Sequence, residues 1–85
     1  MRRIYQQTKR ANYREPFVQV QAWFPEELGL PALIQVVKGH YDSGVQNDRI
    51  DSCDWIMLPP PANEILHEWE AIRKAIAVLD AEVRP

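Results

Sequence analysis

Cysteine occurs once in this chain, histidine twice and glycine three times. A lone Cys53 excludes an internal disulfide framework and any zinc site made of cysteines alone. It suits a reducing compartment, and cytoplasmic location is the expectation. Three isolated glycines leave no Gly-rich loop to cradle a phosphate. No stretch approaches the roughly 20 apolar residues that span a bilayer. The N-terminus has two arginines but no apolar core of a signal peptide, so no membrane association is expected. Residues 1–14 contain no acid at all: Arg2, Arg3, Lys9, Arg10 and Arg14 give them a charge of +5. The remainder holds five bases against twelve acids, and the whole chain is −2.

What is present is enough for a core. Of 85 residues, 46% are hydrophobic and three are Trp, a composition outside the disordered range. The length implies a single domain over residues 1–85. Seven prolines make the connections stiff.

Residues 1–14 read as a basic strand, over Arg3 to Thr8, or as an arm. Phe17 to Phe24 alternates, with Val18, Val20, Ala22 and Phe24 on one face and Gln19 and Gln21 on the other, between Pro16 and Pro25. That pattern predicts a strand. Pro31 to Lys38 fits a short central helix, with proline at its first position and Gly39 as C-cap, although Ile34, Val36 and Val37 argue for a strand. Tyr41 to Asp51 is polar and turn-rich and predicts a loop. Cys53 to Leu58 predicts a second strand, buried on both sides because Trp55 to Leu58 is unbroken apolar sequence. Pro59, Pro60 and Pro61 end it. Residues 63–83 then predict one long amphipathic helix with Asn63 as N-cap and Glu64 in its first turn. Ile65, Trp69, Ile72, Ile76, Leu79 and Val83 recur at helical spacing and fall within about 80° of one another. The helix would be about 30 Å long. The implied fold is α+β: a small sheet of two to four strands covered by that helix, with a short central helix. The stripe is also narrow and regular enough to suggest a homodimer through the C-terminal helix.

Chemistry is hard to find. Asp42, Asp48, Asp51 and Asp54 lie near His40 and Cys53 in sequence, but the calcium-loop pattern is absent. Cys53 with His40 or His67 would be a minimal nucleophile–base pair, yet Cys53 begins a strand expected to be buried. His67-Glu68 lacks the second histidine of a zinc protease helix, since position 71 is Ala. Gln35 and Lys38 do not complete a nuclease-like site. No catalytic, metal or cofactor site is therefore expected.

Two non-catalytic readings remain. The first is a protein-interaction module, a regulator, adaptor or inhibitor that covers a surface on a larger protein partner. Small proteins without a catalytic constellation, those of phages and mobile elements among them, often act by occlusion. Trp23, Phe24, Asp48, Asp51 and Asp54 are its candidate contacts. Trp23, Trp55 and Trp69 are expected to meet in the core, with Trp23 the anchor if one is exposed. The second reading is nucleic-acid binding by the arm, through Arg2, Arg3, Tyr5, Lys9, Arg10, Tyr13 and Arg14, which mix phosphate-binding charge with stacking rings. The acidic body opposes it, because most dedicated binding domains are basic as a whole.

Overall fold

The computed structural model describes residues 1–12, 14–62 and 65–84. Four strands, β1 (Arg2–Lys9), β2 (Phe17–Phe24), β3 (Ala32–Asp42) and β4 (Asn47–Leu58), precede a helix, α1 (Glu68–Val83). Each strand pairs antiparallel with the next, so the sheet is a β1-β2-β3-β4 meander. The helix lies over β2 on one face of the sheet and touches β1 and β3 less. The α+β class implied by the sequence is the one observed, with four strands in the sheet.

The segment expected to form a short central helix is β3. Its β-branched Ile34, Val36 and Val37 suit a pleated surface, and its burial alternates. Ala32, Ile34 and Val36 point to the helix, each at most 3% exposed. As an inner strand, β3 has both edges hydrogen-bonded, which a helix in this position could not offer. Gly39 lies within the strand opposite Phe17 and caps nothing.

The expected loop at Tyr41 to Asp51 is the end of β3, a four-residue turn (Ser43 to Gln46) and the start of β4. Polar composition conceals the strand because β4 is an edge, exposed along most of its first half. Asp48, Asp51 and Asp54 on it discourage a foreign strand from adding there. Asp42 organises the turn. Its carboxylate accepts the Gly44 backbone N–H at 2.9 Å and is also bonded by Arg49. Gln46 takes the left-handed backbone that closes the hairpin (φ 54°). The Gly44 hydrogen bond first, and the Arg49 bond next, hold the Asp42 carboxyl below its ordinary value. A lowered folded value means that this contribution to stability is complete above the unfolded aspartate range. It is lost as pH falls through the folded value. NMR titration should therefore show Asp42 protonating below ordinary aspartate while the Gly44 amide shift moves with it. In Asp42→Asn the amide should show no such titration.

The helix is shorter than expected. Asn63 and Glu64, the predicted cap and first turn, lie outside the described residues. Residues 65–67 are not helical, and α1 begins at Glu68 with His67 extended in the cap position (φ −99°, ψ 149°). Glu70 accepts the His67 backbone N–H at 3.4 Å. Sixteen residues give α1 a length of about 24 Å.

The buried side of α1 shares only Leu79, and in part Ile72, with the predicted stripe. Ala71, Ala75 and Leu79 are buried, whereas Trp69 is 53% and Ile76 43% exposed. The contact face is centred about 80° round the helix from the stripe of large residues. The physical reason is space. Val20, Ile34 and Val36 already fill the sheet surface, so small side chains fit best above it. Val20, Ala22, Ile34 and Val36 pack with Ala75 and Leu79, and Ala32 packs with Leu66 and Ala71. Complete burial of Val20 and Ile34 contributes about 1.5–3 kcal/mol each. Arg2 pairs with Glu68 at the start of the helix. Lys38 pairs with Glu82 near its end, at 2.6 Å. That hydrogen bond, and then the Glu82 charge, raise the Lys38 pKa.

Candidate functional site

Strand pairing fixes what lies on the face of the sheet away from α1. Four rows cross it. Arg3, Trp23, Leu33 and Met57 form the first, and Gln6, Gln21, Gln35 and Trp55 the second. Thr8, Gln19, Val37 and Cys53 form the third, and Phe17, Gly39 and Ile50 the fourth. α1 covers none of them.

The centre of this face is a hydrogen-bonded polar strip. Gln21 Nε2 donates to Gln35 Oε1 at 2.9 Å and to Gln19 Oε1 at 3.3 Å. Gln19 Nε2 donates to Thr8 Oγ1, and Gln35 Nε2 to Cys53 Sγ. Arg3 closes the strip at one corner by donating to Gln21 Oε1 at 3.2 Å. These amides hold one another flat, so the strip touches all four strands. Apolar groups flank it. Trp55 is 53% and Met57 63% exposed on one side; Ile50 is 67% exposed on the other. Around Ile50 a shallow hollow is lined by Thr8, Arg10, Phe17, Gln19, Val37 and Asp48. Arg10 crosses one side of it, its guanidinium 4.7 Å from the centre of the Phe17 ring and 2.9 Å from Asp48. In a chain that is 26% charged, Arg3 is the sole charged residue in these rows, and beyond the fourth row Arg10 and Asp48 add one ion pair to the face.

The residues singled out in the sequence are divided by this geometry. Trp23 belongs to the open face and is partly buried. Its indole nitrogen is enclosed without an acceptor among the described residues, so a partner would meet carbon there and no donor. Phe24 points to the opposite face, packed with Ala32, Leu66 and Ala71. Asp48 pairs with Arg10, and Asp51 with His40 at 2.8 Å. Asp54 stands on the helix side, close enough to Lys38 to raise its pKa slightly. The three acids thus make no common patch. Cys53, expected to be buried, is exposed. The three Trp do not meet in the core. Trp69 is on the helix surface, with the Arg73 guanidinium 4.5 Å from its ring centre and His67 stacked beside it.

The basic residues are similarly dispersed. Arg2 is engaged with Glu68, Arg3 with Gln21 and Arg10 with Asp48. Tyr5 packs against the core cluster under the helix. Lys9 and Arg14 are exposed, and Tyr13 lies outside the described residues. Among the described residues, no three of His, Cys, Asp and Glu come together as metal ligands. No helix among them is long and apolar enough to cross a membrane.

Sequence reasoning missed Leu33, Gln35, Trp55 and Met57 as members of one surface. The signal was their shared phase: odd positions in β2, β3 and the end of β4 all face the same way. Comparison with family models, with curated proteins and with solved structures found no match to this chain.

Proposed function

We propose that this chain is a small non-catalytic protein-interaction module, a regulator, adaptor or inhibitor that covers a partner protein with the open face of its sheet. One observation carries the reading: an uncovered sheet face, whose charges are Arg3 at one corner and the mutually paired Arg10 and Asp48 at the other end, exposes Trp55, Met57 and Ile50 around a preformed glutamine strip. Interface centres are depleted in Lys, Glu and Asp and enriched in Trp and Met, and this face has that composition. A surface with so little charge is poorly suited to a polyanion. The engagement of Arg2, Arg3 and Arg10 within the chain further weakens the nucleic-acid reading.

A photoreactive amino acid at position 55, compared with one at Lys74 on the outer side of α1, tests this in extracts of the producing cells. The expected result is a discrete protein adduct from position 55 and none from 74. Equal labelling from both positions, or none from 55, contradicts the reading. So does a DNA or RNA affinity that falls steeply with salt and requires residues 1–14.

A further inference from the structure

The partner that the open face fits best is another copy of itself. Resting on the reading of this face as a contact surface, we propose that two chains stack sheet against sheet, with both helices outward, as a two-fold dimer.

Three features lead to that occupant. The first is charge. The chain is −2 overall, and two like-charged chains normally repel across a shared surface. Among the described residues the acids stand at the β4 edge and turn, in the β1–β2 and β2–β3 connections and on the helix side, and the one beside the open face, Asp48, is paired with Arg10. Arg3, hydrogen-bonded to Gln21, and the Arg10–Asp48 ion pair, whose two charges cancel within one chain, are the charges that reach the contact.

The second is self-complementarity. A two-fold interface places the same patch on both sides, so every group must suit its own kind. A carboxylate or ammonium strip would fail that condition. A glutamine strip meets it, because each amide both donates and accepts. Two-fold axes in the plane of the sheet, along the strip or across it, lay amide against amide. The axis along the strip also lays the Met57 flank of one chain against the Phe17–Ile50 flank of the other, whereas the axis across it would set Met57 on Arg3 and Trp55 on Gln6, so the first is the arrangement proposed.

The third is size. Four strands about 4.8 Å apart and about eight residues long present roughly 500 Å² in plan. Two such faces bury about 1,000 Å², the lower bound for a biological interface and the size of a weak, reversible one. The exposed helix stripe is a weaker candidate, since Arg73 and His67 already flank Trp69.

Sedimentation equilibrium at micromolar to hundred-micromolar concentration tests the proposal. The natural chain should have twice its 9.9 kDa mass. Trp55→Glu and Met57→Lys, with unchanged circular dichroism, should each raise the dimer dissociation constant at least about a hundredfold, because two-fold symmetry makes each substitution remove an apolar anchor from both chains and bury a charge in its place. Met57 is 63% exposed, so Met57→Lys carries the test if Trp55→Glu fails to fold. Ile76→Glu, on the exposed side of α1, should leave the dimer intact. A monomeric natural chain at hundred-micromolar concentration overturns the proposal. So does a dimer abolished by Ile76→Glu but kept by the sheet variants. A monomer whose position 55 still captures a different protein defeats the self-pairing and leaves the interaction-module reading standing; a monomer that captures nothing defeats both.

Discussion

Gly39→Ala should destabilise the chain by about 2–3 kcal/mol, the upper end of the range for over-packing. The sign is the informative part. Glycine inside a strand costs conformational entropy, so replacing it with alanine ordinarily adds about 0.5–1 kcal/mol of stability. At this position there is no room. A Cβ on Gly39 would fall against the Arg49 carbonyl oxygen and 2.6 Å from two carbons of the Phe17 ring. The ring could rotate away, but the carbonyl belongs to β4 where the register shifts between Lys38 and Gly39. Relief would require the strands to separate or the irregularity to move. A small domain has only about 5–15 kcal/mol in total, so the loss would lower the urea midpoint substantially at unchanged slope. An unchanged or raised midpoint would show that the close approach of Phe17 to β3 is wrongly placed. The same substitution should disturb the open face, because the Phe17 ring supports the Arg10 guanidinium that reaches Asp48.

Much of this fold was legible in the sequence. Phe17 to Phe24 is the strand that its alternation predicts, because its bounding prolines and two-residue period agree. Arg3 to Thr8 lies within β1, and the C-terminal helix exists. What misled was composition read without neighbours. Pro31 to Lys38 has helix punctuation at both ends, but its β-branched residues sit between two strands that hydrogen-bond to it. Tyr41 to Asp51 has the polarity of a loop because the far end of an edge strand is wet on both faces. The helix stripe was misassigned because side-chain size was taken as a guide to burial. In a thin molecule of 51 × 25 × 16 Å, alanines at 71 and 75 bring the helix close, and Trp69 and Ile76 are left outside.

The open face was the least legible feature, for a related reason. Trp55, Ile56, Met57 and Leu58 form an apolar run, which predicts burial on both sides. The helix covers Ile56 and Leu58 only, packing them toward its two clusters. Trp55 and Met57 point the other way, where the chain offers nothing to cover them. Antiparallel sheets commonly leave one face to water, but that face is then usually polar. Here half of it is polar, as a strip of linked amides, and the flanks are not. That imbalance within one sheet is the physical basis for assigning the face to protein contact.

Cys53 makes the claim measurable with the natural residue. It stands in the third row of the open face, exposed, its Sγ accepting from Gln35. In the separated chain at nanomolar concentration it should alkylate readily. When the face is covered, the thiol lies inside the contact, and the reagent must wait for dissociation. The measurement is the alkylation rate of Cys53 as chain concentration rises from nanomolar to hundred-micromolar, beside the folded Trp55→Glu variant. The account predicts at least about a tenfold slowing for the natural chain, since 90% occupancy of the face corresponds to about 1.4 kcal/mol of protection. Trp55→Glu should react at one rate throughout. A natural-chain rate that stays constant while the mass doubles would contradict it, because the face would then be open while the chain is paired.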